Sequence, residues 1–242
     1  MIIDGTFRVH QIFCSTLYPP GEVQRRNIPL DVSALPDRTR ATYEAILILV
    51  QQAAHRINRE FKPDTFLMDF ELPMMSASRS IFPSSLIQGF YFHYTQALWR
   101  NCAGIWLKVF YSDPGVRKFI RSFLALPFIP SDQIHSALDI ITQQRPPHSS
   151  TTHALLSQSE TYFHRTWING NNPPVIRNCY MNFELRTTNH VEGWHRLFNE
   201  KVKIAHPNIF VLIKALKNEE RTTRNRMREL DNGHRPQPMK KV

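Results

Sequence analysis

The order of short β-type segments is the feature that most constrains what this chain can fold into. Ile2 to Tyr18 mixes β-branched, aromatic and apolar residues before Pro19-Pro20-Gly21, which predicts one or two strands and a turn. Residues 28–35 predict a further strand, and a helix from about Arg40 to Asn58 follows, because its apolar residues recur at helical spacing. These early strands followed by strand-helix units indicate a mixed α/β sheet that begins as a meander.

Later segments continue this alternation. Residues 65–68 predict a buried strand that stops on Asp69, and residues 86–92 predict another that stops near His93, with a helix from Tyr94 to about Lys108. Residues 112–170 read as an all-helical insertion, with helices around 116–126 and 131–142 and a polar link over 145–152. Two last helices are expected over about 189–202 and 209–230. The predicted organisation is a core at 1–111 and 171–220, the insertion at 112–170, and a basic tail at 221–242.

Length and composition favour a globular chain. Its 242 residues suit one large domain, or a core with an insertion. The longest apolar run, Ala45 to Val50, is shorter than the ~18 residues of a membrane span, so neither an anchor nor a signal peptide is expected. Three widely spaced cysteines without a Cys-x-x-Cys pair favour a reducing, intracellular compartment and no structural zinc.

Positive charge is concentrated near the end of the sequence. The formal net charge is +10, and residues 201–242 hold 11 Lys or Arg against 4 Asp or Glu. Such a segment attracts a polyanion through counterion release, and nucleic acid is the expected partner. The alternative is a solvated helix end and a tail that only adds solubility. The arginines concerned are Arg221, Arg224, Arg226 and Arg228.

Three acidic residues are candidates for chemistry. Asp4 and Asp69 are placed at the ends of predicted strands with apolar neighbours, where carboxylates from separate strands can meet on a hard cation such as Mg²⁺. Glu192 borders the apolar stripe of a predicted helix. Each has a structural alternative. A strand-end Asp can simply accept backbone hydrogen bonds, and Glu192 stands at capping-box spacing from Asn189.

The motifs around these acids resemble the transposase domain of Mutator-like elements, over roughly residues 2–220. They occur in the family's order: Asp4-Gly5-Thr6-Phe7, Met68-Asp69-Phe70-Glu71, Gly89-Phe90-Tyr91-Phe92-His93-Tyr94-Thr95-Gln96-Ala97-Leu98-Trp99-Arg100, Phe163-His164-Arg165-Thr166-Trp167-Ile168, Arg186-Thr187-Thr188-Asn189-His190-Val191-Glu192-Gly193-Trp194-His195 and Ala205-His206-Pro207-Asn208-Ile209-Phe210.

The resemblance implies a ribonuclease H-like mixed sheet with flanking helices and an all-helical insertion between the second Asp and the Glu. It implies that Asp4, Asp69 and Glu192 hold two divalent metal ions, Mg²⁺ or Mn²⁺, with Asp4 bridging both. The expected reaction nicks the ends of an element and joins them to target DNA. A nuclear protein that binds DNA, and that can form homo-oligomers, is expected. Arg186 and Arg196 join the tail arginines as candidate DNA contacts.

The two histidines near the acids each have two alternative roles, and one nearby position departs from the family's motif. The family shows Cys-x-x-His before the third helix, and here Phe90 replaces the cysteine ahead of His93. His93 either positions a phosphate or metal-bound water, or is a hydrogen-bonded core residue. His195 lies one turn after Glu192 and either contacts DNA or orients the carboxylate.

Two further observations bear on activity and on DNA contact. The sequence opens three residues before Asp4, so the DNA-binding module expected to precede it is not included. That leaves open a catalytically silent, domesticated protein that binds DNA or regulates. Four aromatic residues could stack on bases: Trp99, Trp106, Trp167 and Trp194. Trp194 lies in the apolar stripe of its predicted helix, so we expect it to be a core residue instead.

Overall fold

The computed structural model describes residues 2–6, 11–16, 29–147, 149–180, 189–202 and 207–232. Before Leu35, and over residues 189–195, it describes the backbone alone. The described part is mixed α/β and mostly helical. Its strands are β1 (Ile2–Thr6), β2 (Gln11–Thr16), β3 (Pro29–Leu35), β4 (Thr65–Met68) and β5 (Leu86–Gly89). Its α-helices are α1 (Arg40–Arg56), α2 (Leu72–Ile81), α3 (Tyr91–Gly104), α4 (Pro114–Ala125), α5 (Ile134–Gln143), α6 (Ser150–Phe163), α7 (Pro174–Arg177), α8 (Asn189–Val202) and α9 (Ile209–Asp231).

The first three strands form the predicted meander. β1 pairs antiparallel with β2 from Ile2 opposite Thr16 to Thr6 opposite Ile12, and β2 pairs antiparallel with β3. The second ladder is irregular at Ser15/Thr16, beside Pro29, which has no N–H to give to a ladder. Hydrogen-bonded neighbours follow the order β3-β2-β1-β4-β5. The prediction of a mixed α/β chain that begins as an antiparallel meander is confirmed.

Contacts divide the chain into two compact units. The first comprises residues 1–66, 76–85 and 189–242, and the second comprises residues 67–75 and 86–188. The insertion predicted at 112–170 falls within the second unit, and its described residues are helical wherever they are regular. The domain boundaries predicted from the sequence stay a prediction.

The first unit has an aromatic cluster around Phe66 and a separate pair of helices. The Phe66 ring packs against Phe82 at 5.2 Å, and Phe61 meets Phe82 edge-on at 5.7 Å. Phe198 of α8 and Leu212 of α9 are buried together, and Val202 packs against them. The burial of Phe198 and the packing of Val202 confirm the predicted apolar stripe of α8 at the two positions whose side chains are described. No helix within the described residues combines the length and apolarity that crossing a membrane requires.

The second unit is built around one large aromatic and aliphatic core. α3 to α6 share it, with Tyr94, Phe123, Phe163 and Trp167 among its buried members. The Tyr94 hydroxyl donates to the Phe123 carbonyl at 2.5 Å, so the polar end of a fully buried ring is satisfied. Between α6 and α7, His164–Ile168 widens into a π-helical turn that carries Trp167.

Several boundaries predicted from the sequence are wrong. β5 ends at Gly89 rather than Phe92 and α3 begins at Tyr91 rather than Tyr94, because Phe90 is an extended N-cap residue whose N–H donates to the Met68 carbonyl at 3.1 Å. α2 was not predicted at all, although a proline in its first turn is a helix-start signal. α6 begins at Ser150, inside the predicted link, where the Ser149 hydroxyl caps it.

Candidate functional site

Asp69 is the first polar residue beyond a fully buried strand. Phe66, Leu67 and Met68 of β4 are at most 2% exposed, so the strand is fixed in the core. The Asp69 side chain is 31% exposed and therefore reaches the boundary between core and solvent. The sequence prediction that this aspartate directly follows a buried strand is confirmed.

His93 comes from the first turn of α3. The hydrogen bond from the Phe90 N–H to the Met68 carbonyl ties the start of this helix to the end of β4. α3 then begins at Tyr91 without a side-chain cap at Phe90, which makes His93 its third residue. The helix N-terminus carries a partial positive charge that favours a nearby carboxylate.

The two side chains meet. Nε2 of His93 lies 2.8 Å from Oδ1 of Asp69, and both atoms are shielded from solvent although the side chains are 24% and 31% exposed. Neither atom meets hydrogen-bond geometry toward the other, so the contact is electrostatic, and it is an ion pair when the imidazole is protonated. A carboxylate and an imidazole at one rim can bind a cation, hold a phosphate or move a proton.

Aromatic rings flank the imidazole. The Phe90 ring lies 5.8 Å from the His93 ring and is fully buried, and the Phe92 ring lies 5.3 Å away in an edge-on arrangement. These rings restrict the orientations open to the histidine. Phe90, which stands where the resembling family has a cysteine, is a core residue here and offers no donor atom to a metal or to DNA.

A second aromatic group supports the segment that carries Asp69. The Phe70 ring lies over Gly89, where a Cβ atom would be only 2.3 Å from two ring carbons. Phe70 also meets Trp167 edge-on at 4.9 Å, and Trp167 meets Tyr94 at 4.9 Å. The contacts within this aromatic group were not predicted from the sequence. A glycine within a strand pattern marks close approach of another group and was the available signal.

The other two acids and His195 are placed by their backbone alone. Asp4 lies in the middle of β1 opposite Cys14, not at a strand end as expected, because Gly5 and Thr6 continue the ladder with Phe13 and Ile12. Glu192 is the fourth residue of α8 and His195 the seventh. The side chains of all three lie outside the described residues, so their convergence on Asp69 stays a prediction.

Metal binding depends on which donor side chains the fold brings together. No group of three His, Cys, Asp or Glu side chains comes together among those described, a set that omits Asp4 and Glu192. Asp69 itself fits a hard cation, because its side chain is partly exposed and ends in a carboxylate, the ligand type that Mg²⁺ and Mn²⁺ prefer.

The candidate DNA-contacting arginines are exposed and locally bonded. Arg196 lies 3.9 Å from Glu200 and Arg224 lies 2.5 Å from Glu220, both at the (i, i+4) helical spacing. Arg221 donates to the Asn218 side chain at 2.7 Å, and Arg228 is exposed near the end of α9. Exposed pairs of this kind are weak, so these cations stay available to phosphate. Arg186 and the Arg226 side chain lie outside the described residues.

No family model matches the chain, and a comparison with curated proteins found no match.

Proposed function

We propose that this chain is the catalytic core of a metal-dependent DNA transposase like those of Mutator-like elements, with Asp4, Asp69 and Glu192 as metal ligands. The observation that carries the proposal is the placement of Asp69, which follows a buried strand and lies 2.8 Å from His93. A carboxylate held this firmly at a strand exit, within a motif that resembles the family, suits a metal ligand better than a solvated surface acid.

A ribonuclease H-like fold is part of this proposal. The antiparallel meander of β1 to β3, followed by two strands that each lead into a helix, supports it. So does the position of Asp4 on β1, which neighbours β4 in the order of the sheet. The helical residues 114–168 between Asp69 and Glu192 agree with the all-helical insertion that the resemblance implies.

In this proposal each residue has a specific role. Two divalent ions, when bound, would activate water or a 3′-hydroxyl and stabilise the leaving oxygen of a phosphodiester. Asp69 offers its carboxylate to one ion, while His93 orients that carboxylate from 2.8 Å away. The rings of Phe90 and Phe92 limit rotation of the imidazole, so the carboxylate keeps one orientation.

DNA is the proposed substrate and partner. The exposed arginines of α8 and α9 support this, because lysine and arginine contacts to phosphate supply most sequence-independent affinity for DNA. These contacts position DNA without choosing a sequence. Recognition of particular element ends therefore requires groups other than these arginines.

One observation favours a second candidate, a catalytically silent DNA-binding derivative. The position of the family's cysteine, three residues before His93, is filled by the buried ring of Phe90, so a cysteine-histidine pair cannot form there. This candidate predicts DNA binding without strand cleavage.

Strand cleavage and joining by the purified chain tests the proposal. A DNA duplex is incubated with Mn²⁺, and nicked and joined products are separated on a denaturing gel. Asp69→Asn should abolish both products, and Asp64→Asn should not, because Asp64 is an exposed aspartate at the other end of β4. Equal activity in the two variants would refute the proposed role of Asp69. DNA binding without any product in the unmodified chain would establish the silent derivative instead.

A further inference from the structure

Trp106 is exposed to an extent unusual for tryptophan. It is 73% exposed, whereas Trp167 is 2% exposed and Trp99 is half-buried against Tyr111 at 4.8 Å. Its backbone lies in the left-handed region, with φ 66° and ψ 5°. Bulky residues rarely adopt this conformation.

Neither burial nor backbone preference explains a tryptophan at this position. Trp106 follows Ile105, the C-cap of α3, and therefore occupies the position where helices usually place a left-handed glycine. A side chain that is mostly in solvent gains little from the hydrophobic effect. Residues held at a conformational cost without a packing benefit are concentrated at binding sites.

The turn that carries Trp106 is firmly anchored. Leu107, the next residue, is fully buried, and the Val109 N–H donates to the Trp106 carbonyl at 3.2 Å. The turn Leu107–Phe110 is a 3₁₀-helix, in which residues three apart lie one above the other. Val109, on this turn, is 67% exposed. The indole of Trp106 is therefore exposed on a turn that is anchored by a buried leucine and a backbone hydrogen bond.

The surroundings of Trp106 favour an anionic ligand. Arg100, Ala103 and Gly104 are all exposed in the C-terminal half of α3, and a Cβ atom at Gly104 would meet nothing within 4 Å. Lys108 is exposed on the 3₁₀ turn. Within the same unit, residues 86–112 contain no Asp or Glu, while Arg100 and Lys108 are cationic. An exposed ring beside cations, with no acid in the surrounding segment, is how proteins bind single-stranded nucleic acid.

We propose that Trp106 stacks on an unpaired base of single-stranded DNA, with Arg100 and Lys108 contacting the adjacent phosphates. The proposal goes beyond the function proposed above, because it assigns a binding contact that involves none of the carboxylates. The two can fail separately: binding is measured in metal-free buffer, where the proposed metal-dependent cleavage cannot occur, so its result does not depend on the carboxylates.

Fluorescence anisotropy with two labelled strands tests the stacking. One is a thymidine oligonucleotide of about 15 nucleotides, and the other is an abasic strand of the same length and charge. Trp106→Ala in the full chain should weaken binding of the thymidine strand about fivefold or more, and should leave the abasic strand unaffected. Trp106→Phe should retain most of the affinity. Phe210→Ala removes another aromatic side chain, 80% exposed on α9, and should affect neither strand.

Trp106→Gly separates the contact from folding. Since glycine adopts the left-handed conformation without cost, this variant should melt no lower than the unmodified chain and still lose the preference for the base-bearing strand. Equal weakening for both strands, no effect on either, or no binding of the thymidine strand by the unmodified chain would each overturn the proposal.

Discussion

Replacing Gly89 by alanine should disturb the second unit beside Asp69. The added Cβ atom would lie 2.3 Å from two carbons of the Phe70 ring, well inside van der Waals contact. The ring cannot retreat freely, because Trp167 lies edge-on to it at 4.9 Å and is itself 2% exposed. The Tyr94 ring packs edge-on against the Trp167 ring, with their centroids 4.9 Å apart. The strain therefore extends into the core.

The expected magnitude follows from this close contact. Inserting a methyl group into a packed core costs about 1–3 kcal/mol. For a chain of this size each kcal/mol lowers the melting temperature by about 2–4 °C, so Gly89→Ala should lower it by about 2–12 °C. Thermal unfolding followed by circular dichroism measures the change.

Gly104 supplies the matched control. It is the last residue of α3, and a Cβ atom there would meet nothing within 4 Å. Gly104→Ala should therefore stabilise the helix by up to about 1 kcal/mol, since glycine is a poor helix former. Adding Phe70→Leu to Gly89→Ala should restore part of the lost stability. If Gly89→Ala melts as high as Gly104→Ala, the packing argument is refuted.

Two further predictions concern helix starts. Asp113→Ala removes the side chain that accepts from the Val116 N–H at 2.9 Å at the N-cap of α4, and should lower the free energy of unfolding by about 1 kcal/mol in urea titrations; an unchanged midpoint would contradict this. Hydrogen bonds from Thr42, then from Thr39, lower the pKa of Asp37 below its ordinary 3.8. Their stabilising contribution is complete above pH 3.8 and is lost as pH falls through the lowered pKa. Thr42→Val should raise that pKa in NMR titrations, and an unmoved pKa would count against the assigned cause.

Local sequence signals placed several elements correctly because their determinants are local. The three apolar residues of β4 end on an acid, so both the strand and the exit of Asp69 follow from sequence. The start of α1 is equally local, since the Thr39 hydroxyl accepts from the Thr42 N–H. The boundary between β5 and α3 is different. It depends on the hydrogen bond from Phe90 to Met68, which joins distant parts of the sequence, and the apolar run gave no indication of it.

The candidate site was predictable in its residues but not in its contacts. Asp69 and His93 were both identified from their motifs, yet 24 positions separate them, and only the fold brings their side chains to 2.8 Å. The packing of Phe70 over Gly89 is likewise a contact between distant segments. The prediction that Asp4 ends a strand was wrong, since pairing with β2 extends β1 two residues beyond it, to Thr6.

Binding of Mn²⁺ to the purified full chain tests the central claim most directly. Electron paramagnetic resonance of free Mn²⁺ gives the affinity, with Asp64→Asn as the control at the other end of β4. The account predicts that Asp69→Asn weakens binding strongly, that His93→Gln weakens it about 10–100-fold as an orienting residue does, and that Asp64→Asn leaves it unchanged. Binding by Asp69→Asn as tight as that of the unmodified chain would contradict the assignment of Asp69 as a metal ligand.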